Sequence, residues 1–425
     1  MAGVHEERTG GSGASNGRRS SRRRPRRVLM FPLPFQGHIN PMLQLGNVLH
    51  ARGLAVTVLH TRLNALDPAR RHPEFQFVPV LDGVPAHVAA SGNVIDIIEA
   101  MNAAMEADGA AALRAVLESV VADEARPPAA CIVFDANLLA VPRAAEAVGL
   151  RTLVLRTASA ACLGCFLAYP MLHQKGYLPP QESKLYMPVK ELPPLRVRDL
   201  FYSSWSNHKK MRELLARANE AMKNSSGLVI NTLDALEKAE LKRLCEELHI
   251  PVVLAPGPLH KLSSKRTRSS TPDQDYSCIE WLDKQPSESV LYVSFWKLGF
   301  PGRQRVLGGG LGLGQQWPPF SMGGSCRLGT GLLGWGKVIR WAPQQEVLAH
   351  PAVGGFWTHS GWNSTLESIS EGVPMICRPQ FADQMMNTRY VVNTWGVGLE
   401  LEGELERGKI EKAVRKLMKD REERR

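Results

Sequence analysis

Short apolar runs alternate along this chain with stretches whose apolar residues recur every three or four positions, the pattern of strands alternating with helices. Near the front, Arg27-Val28-Leu29-Met30-Phe31-Pro32 predicts a first strand and residues 33–40 a loop. Asn40 and Pro41 suit a helix N-cap and first helical position. Met42, Leu45, Gly46 and Leu49 then repeat at helical spacing, and Gly53 ends the helix. Residues 54–59 read as the next strand, which completes a β-α-β unit. A later run, Ala130-Cys131-Ile132-Val133-Phe134, predicts a strand that delivers Asp135 to the sheet edge also reached by the loop holding His38. In doubly wound sheets that edge, outside the carboxyl ends of the strands, is where ligands bind. A His and an Asp meeting there can act as a base and the carboxylate that orients it. A structural role for a lone loop His is the rival reading.

The alternation returns in the block from Trp341 to Gln384. Val353–Thr358 is an apolar run of the kind buried in parallel sheets. His359-Ser360-Gly361-Trp362-Asn363-Ser364 breaks it with turn and cap residues. Residues 365–371 resume at helical spacing, with Leu366, Ile369 and Ser370 expected inward and Gly372 as the stop. A strand, a tight turn and a helix N-terminus make an anion site, because unpaired backbone N–H groups and the helix dipole point at one place. No acid lies between Thr358 and Leu366, which suits a diphosphate. Glu367 falls four residues after Asn363, on the same helix face. Its carboxylate can accept hydrogen bonds from the vicinal hydroxyls of a ribose. With the flat ring of Trp341 and the polar pair Asp383-Gln384, these are the parts needed to hold a nucleotide-sugar. Taken singly, each also fits an ordinary β-α unit with a core Trp.

Composition narrows the function. A chain of 425 residues is long enough for two domains, each with its own core. No run of 18 apolar residues is present, so no membrane-spanning helix is expected. The net charge of +11 points toward nucleic acid, but its distribution does not. Residues 1–27 carry eight Arg against Glu6 and Glu7, a charge of +6. Residues 296–335 carry Lys297, Arg303, Arg305 and Arg327 with no acid, a charge of +4. Everything else amounts to +1, too little to draw a folded body to phosphate backbones. The N-terminus lacks the apolar segment of a secretory signal, and Glu6 and Glu7 argue against a transit peptide. Seven scattered cysteines suit a reducing cytosol. Cys162 and Cys165 form a CxxC in an apolar stretch and are expected to be core residues. Asp273-Gln274-Asp275 matches a metal-binding DxD pattern but lies in a polar stretch that reads as a solvated turn.

The block from Trp341 to Gln384 resembles the signature box of plant small-molecule UDP-glycosyltransferases, and PFQGHINPMLQL resembles their N-terminal motif. LVINTLDALE around Asn231, APGPL from Ala255 and CIEWLDKQPSESVLYVSF from Cys278 extend the resemblance over nearly the whole chain. Within the family the chain is most similar to grass enzymes that glucosylate benzoxazinones, cytokinins or related small hydroxylated compounds. The resemblance implies an α/β protein of GT-B architecture, two facing Rossmann-like domains with the active site between them. Residues 1–26 would be a disordered tail, 27–257 the acceptor-binding domain, 258–275 a linker and 276–425 the UDP-sugar-binding domain. It implies His38 as the general base and Asp135 as its partner. Trp341 would stack on uracil, with Ala342 and Gln344 beside it, and Glu367 would hold the ribose. His359, Trp362, Asn363 and Ser364 would surround the diphosphate and sugar, and Asp383 and Gln384 would bind sugar hydroxyls. A terminal Gln in this box goes with glucose, hence UDP-glucose as co-substrate, with inversion at the anomeric carbon and no metal or other cofactor. Phe35, Phe166 and Tyr169 are candidate acceptor lining, and core packing explains them as well. The expected protein is a cytoplasmic monomer that takes a UDP-sugar and a small hydroxylated acceptor and binds no nucleic acid.

Two departures stand against that pattern. After Ser294-Phe295 the family has Gly followed by Ser or Thr, where this chain has Trp296-Lys297. Residues 296–335 hold 12 of the 37 glycines and show neither helical nor strand period, so a helix or strand there is hard to build. A shifted reading frame and a genuine Gly-rich insertion are the alternatives. The chain also stops within a helix expected over residues 409–425, where the family continues with further helical segments. Both departures raise the alternative of a catalytically inactive member that binds nucleotide-sugar or acceptor only.

Overall fold

The computed structural model describes residues 25–63, 72–202, 208–263, 274–294, 320–323, 331–333, 336–339 and 341–422. The Arg-rich tail up to residue 24, Asp273, Trp296-Lys297 and most of the Gly-rich stretch lie outside the described residues.

Among the described residues the chain builds two seven-stranded sheets in succession. The first comprises β1 (Arg27–Phe31), β2 (Ala55–Thr61), β3 (Gln76–Val80), β4 (Ala129–Asp135), β5 (Arg151–Arg156), β6 (Gly227–Ile230) and β7 (Val253–Leu254). Their order is β3-β2-β1-β4-β5-β6-β7, and every pairing is parallel. The order reverses between β1 and β4, so their carboxyl ends open the crevice where doubly wound sheets take ligands. Helix α1 (Gln36–Ala51) covers one face, packing Ile39, Met42, Leu43 and Leu45 on Met30, Val56 and Val58. On the other face α2 (Val94–Val121) sets Met101, Met105, Leu113 and Leu117 against Leu29, Phe31 and Phe134. Burying each such side chain is worth about 1.5–3 kcal/mol. The shorter α3 (Ala160–Leu167) and α4 (Asp234–Leu248) follow β5 and β6.

The second sheet repeats the plan. Its strands are β8 (Val290–Ser294), β9 (Phe320–Gly323), β10 (Gly331–Leu333), β11 (Gly336–Ile339), β12 (Val353–Thr358), β13 (Met375–Cys377) and β14 (Gly398–Glu400). Their order is β10-β11-β9-β8-β12-β13-β14, parallel except for the β10–β11 pair. Here the order reverses between β8 and β12. Helix α5 (Gln344–Leu348) precedes β12, and α6 (Trp362–Ser370) follows it. Helix α7 (Gln384–Arg389) runs into a π turn over Tyr390–Thr394. The last helix, α8 (Arg407–Glu422), lays Ile410, Val414 and Leu417 on Leu291, Val293 and Trp357. It comes so close to β12 that a Cβ on Gly355 would sit 2.7 Å from Leu417 and one on Gly354 2.9 Å from Met418, while the Glu288 carbonyl, just before β8, crowds Gly354 from another side at 2.1 Å.

Three expectations need correction. Helix α1 begins at Gln36, five residues before the predicted start at Pro41, because Phe35 turns the chain without a capping side chain and its carbonyl receives the N–H groups of His38 and Ile39. His38 therefore stands in the first helical turn and not in a loop. Likewise α6 starts at Trp362, so Trp362, Asn363 and Ser364 belong to the helix; Leu366 is buried and Ile369 packs half-buried on the core as expected, and Trp362, Ser364, Thr365 and Ser368 join the buried face in place of Ser370. The aperiodic segment also yields two strands: β10 pairs antiparallel with β11, and β9 fills the gap between β8 and β11, where parallel neighbours on both sides supply backbone hydrogen bonds that need no side-chain period.

The halves meet over an apolar cluster in which Met386 and Tyr390 join Cys162, Cys165, Phe166, Tyr169 and Leu172. No described helix is long and apolar enough to cross a membrane.

Candidate active site

The two sheet crevices bring the predicted residues to one place. Asp135 ends β4, and its Oδ1 accepts hydrogen bonds from the backbone and side-chain nitrogens of Asn137, both at 3.0 Å. Its Oδ2 lies 2.6 Å from Nδ1 of His38. Burial pushes the Asp135 carboxyl up, but His38 and the Asn137 N–H outweigh it and hold the group below the usual range. An ionised Asp135 keeps the proton of His38 on Nδ1 and leaves Nε2 as an acceptor. Thr157 Oγ1, just past β5, stands 3.2 Å from the same Nδ1. The His38 side chain is 29% exposed, so Nε2 can be reached by a substrate hydroxyl. Phe35 sets its ring edgewise to His38, centroids 6.4 Å apart.

Opposite this pair is the turn from β12 into α6. Ser360 takes a left-handed conformation (φ 64°) and is pinned from both sides. Its N–H donates to Thr358 Oγ1 at 3.1 Å, and its carbonyl accepts from Asn387 Nδ2 at 2.9 Å. Gly361 has to be glycine, since a Cβ there would sit 2.5 Å from Nε2 of His359. Burial alone drives His359 down to about 4, so it is a neutral imidazole near pH 7. Gly361 caps α6 without a side chain, which leaves the first backbone N–H groups of the helix for an anion.

One turn further along α6, Glu367 accepts from Gln344 Nε2 at 2.7 Å and Gln345 Nε2 at 2.9 Å. Gln344 also donates to Ser364 Oγ at 2.9 Å. Burial raises the Glu367 carboxyl, and the two amides offset part of that. Trp341 is half-buried, and its carbonyl receives the Asp275 N–H; Ala342 beside it is buried. Asp383 opens α7 and accepts from Asn387 Nδ2 at 2.9 Å. Burial raises its carboxyl, while the charges of His38 and Arg156 act on it in the opposite sense, so the two halves of the site are within electrostatic reach. Gln384 uses Oε1 to receive the N–H groups of Gln380 and Phe381, which shapes the loop before α7.

Some expected residues are used differently. Asn363 does not hold its amide free for a diphosphate. Its Nδ2 donates to the Gly37 carbonyl at 3.0 Å and its Oδ1 accepts from Asn231 Nδ2 at 3.4 Å. Trp362 likewise donates Nε1 to the Asn231 carbonyl at 2.7 Å. Phe166 and Tyr169 are buried in the cluster between the halves, Phe166 against Phe201 and under the guanidinium of Arg156. Cys162 and Cys165 are buried free thiols, both raised by burial, as a core reading expects. Asp275 spends Oδ1 on Ser277 N and Oγ, the turn expected of the DxD stretch. Sequence reasoning missed Thr157, Gln345 and Asn231 as members of the site. Asn231 lay within a stretch already singled out, but nothing in its spacing disclosed a partner 132 residues away.

Comparison with known proteins finds relatives over nearly the whole chain. The family described as UDP-glucoronosyl and UDP-glucosyl transferase matches residues 329–424. The chain is 42% identical over 412 residues to a DIMBOA UDP-glucosyltransferase of Zea mays, BX9, covering 93% of this chain and 88% of that protein. It is 38% identical over 422 residues to UDP-glycosyltransferase 76G1 of Stevia rebaudiana, covering 94% and 90%. Among solved structures, a UDP-glucose: anthocyanidin 3-O-glucosyltransferase in complex with UDP superposes with a TM-score of 0.75 at 25% identity, over 92% of this chain and 89% of that one.

Proposed function

Because the chain belongs to the UDP-glycosyltransferase family, we propose that it moves glucose from UDP-glucose to a hydroxyl of a small plant metabolite, with inversion at the anomeric carbon. The observation that carries this reading is the 2.6 Å pair of His38 and Asp135, set across the cleft from an uncapped helix N-terminus. Nε2 of His38 takes the proton of the acceptor hydroxyl as that oxygen attacks the anomeric carbon. The bond to UDP breaks with its electron pair, and the new charge on the diphosphate rests on the backbone N–H groups at the start of α6 and on neutral His359. Asp135 stabilises the imidazolium that forms. An α-linked donor gives a β-glucoside.

In this reading Trp341, Ala342 and Gln344 receive the uracil, Glu367 the ribose, Ser364 the diphosphate, and Asp383 and Gln384 the sugar hydroxyls. Residues 27–257 hold the acceptor and residues 276–425 the donor. The acceptor is a benzoxazinone, cytokinin, phenol or similar hydroxylated compound of secondary metabolism. The free cysteines support a reducing, cytoplasmic setting, with the protein working as a monomer. Relatives named as glucosyltransferases lend nothing to the alternative of an inactive binder. The test is UDP release from UDP-glucose over a panel of phenolic and hydroxamate acceptors, with His38→Ala as control. Turnover that survives His38→Ala would overturn the assignment of the base, and no turnover with any acceptor would overturn the reading.

A further inference from the structure

Arg156 is the last residue of β5, one position beyond Leu155, which pairs with Asp135, and one before Thr157, which stands against His38. The residue is buried, with 7% of its surface exposed. Its Nε is enclosed without a hydrogen-bond partner, and among the described residues the guanidinium forms no hydrogen bond and no ion pair. What supports it is the Phe166 ring, whose centroid lies 5.1 Å from the guanidinium carbon and which Phe201 braces edgewise at 4.8 Å. Asp135 and Asp383 both feel its charge. Neither is available to it, since Asp135 is committed to His38 and Asn137, and Asp383 to Asn387.

Burying a charge opposes folding unless a counter-charge and hydrogen bonds meet it. A guanidinium left without them, at the sheet edge beside the base, fits a cation whose partner arrives with a ligand. Its N–H groups lie in one plane, where the two oxygens of a carboxylate can accept them side by side. In the glucosyl-transfer reading the diphosphate rests on the start of α6 in the second half, whereas Arg156 and Phe166 belong to the first. The anion is therefore on the acceptor. Phe35 beside the base and Phe166 beneath the guanidinium suit an aromatic frame between the two groups.

We propose that Arg156 selects acceptors that carry a carboxylate as well as a hydroxyl, the class of hydroxylated aromatic acids. The inference rests on the glucosyl-transfer reading and adds a charge requirement to its acceptor. Arg156 holds the carboxylate, and the hydroxyl is presented to Nε2 of His38. That oxygen bonds to the anomeric carbon, its proton goes to His38, and the bond to UDP breaks with its electron pair. The carboxylate is unchanged, so the product is a glucoside and not a glucose ester.

The test uses the full chain, UDP-glucose, and ortho-, meta- and para-hydroxybenzoate beside their methyl esters, which keep the hydroxyl and lose the charge. With the unaltered chain, kcat/KM for at least one acid exceeds that for its ester by about tenfold to a hundredfold, the worth of a hydrogen bond to a charged group. Arg156→Met, apolar toward Phe166, abolishes that preference. Arg156→Lys keeps a charge without the planar fork and gives an intermediate ratio. Comparing acid with ester inside one variant separates recognition from a loss of folded protein, and Arg156→Lys carries the test if Arg156→Met does not fold. Esters preferred by the unaltered chain, an acid preference that survives Arg156→Met, or a product that hydroxylamine cleaves as an ester would each overturn the proposal. So would a loss of UDP affinity in Arg156→Met with the ratio unchanged, which would assign the guanidinium to the donor. If no acceptor is glucosylated, the functional reading fails, and calorimetric titration with benzoate alone still decides the site. Binding to the unaltered chain that is lost in Arg156→Met upholds it, and equal or absent binding overturns it.

Discussion

His38 and His359 carry the same side chain and are held in opposite ways. His38 is partly exposed and tied to an ionised carboxylate, so it can gain a proton during a reaction. His359 is buried and driven down to about 4, so near pH 7 it stays neutral, with one N–H to donate and one nitrogen to accept. Replacing His38 by Ala should lower kcat by about 10²–10⁴, the usual worth of a positioned base. Asp135→Asn should lower kcat in the same direction and leave UDP binding intact, which steady-state kinetics beside UDP titration would check. For His359 the folded value lies below the ordinary 6.5, so the unfolded chain takes the proton first as pH falls. Its contribution to stability is present above about 6.5 and is lost progressively down to about 4. Melting temperatures of the unaltered chain should drop across that window, and those of His359→Gln should drop less. His38 and Asp135 were legible because strand ends announce themselves as apolar runs that stop. The partners of Asn363 were not, because a hydrogen bond across the cleft leaves no local period.

Helix starts show where sequence reading falters among the elements. Asn40-Pro41 has the chemistry of a helix start, yet α1 begins at Gln36 behind an uncapping Phe35. Gly361 opens α6 in the same silent way. Both helices carry site residues in those early turns, and a capping side chain there would stand where ligands approach. Helix α3, by contrast, has a local cap, with Ser159 Oγ accepting the Cys162 N–H at 3.1 Å, and a distant one as well. Its first N–H groups, of Ala160 and Ala161, donate to the two carboxyl oxygens of Glu237 at 2.8 and 2.9 Å, and Thr232 Oγ1 donates to the same carboxyl at 2.7 Å. Burial raises Glu237 to about 7, with those donors working against it. A carboxyl raised in the folded state favours folding fully below its unfolded value near 4.5, and that advantage is lost as pH climbs through about 7. Glu237→Gln, fixed neutral but with one acceptor fewer, should melt lower than the unaltered chain at pH 5.5, with the gap narrowing by pH 8. The alternation of strands and helices, by contrast, was plain in the sequence, because buried parallel strands must be continuously apolar.

At the scale of the molecule the two halves are joined by scattered polar contacts as well as by the apolar cluster. Arg198 bonds Glu400 and Glu402, both at 2.8 Å, Tyr390 donates to Glu240 at 2.6 Å, and Lys261 pairs with Glu371. None of this was readable beforehand, since Arg198 and Lys261 sit in short segments without period. Arg198→Ala should loosen the joint, so that calorimetry shows the single unfolding transition broadening or dividing in two. Salt at about 0.5 M should move the unaltered chain in the same direction, because it shortens the reach of partly exposed charges. The repeated strand order has a further consequence. The chain passes from one sheet to the other once, and each sheet brings its own crevice. With the acceptor held by the first half and the donor by the second, as proposed, acceptor choice and donor choice should be separable traits that recombination between relatives can shuffle. A crossover between β7 and β8 should give a working hybrid whenever the incoming half supplies matching partners for Gly37, Asn231 and Asn363.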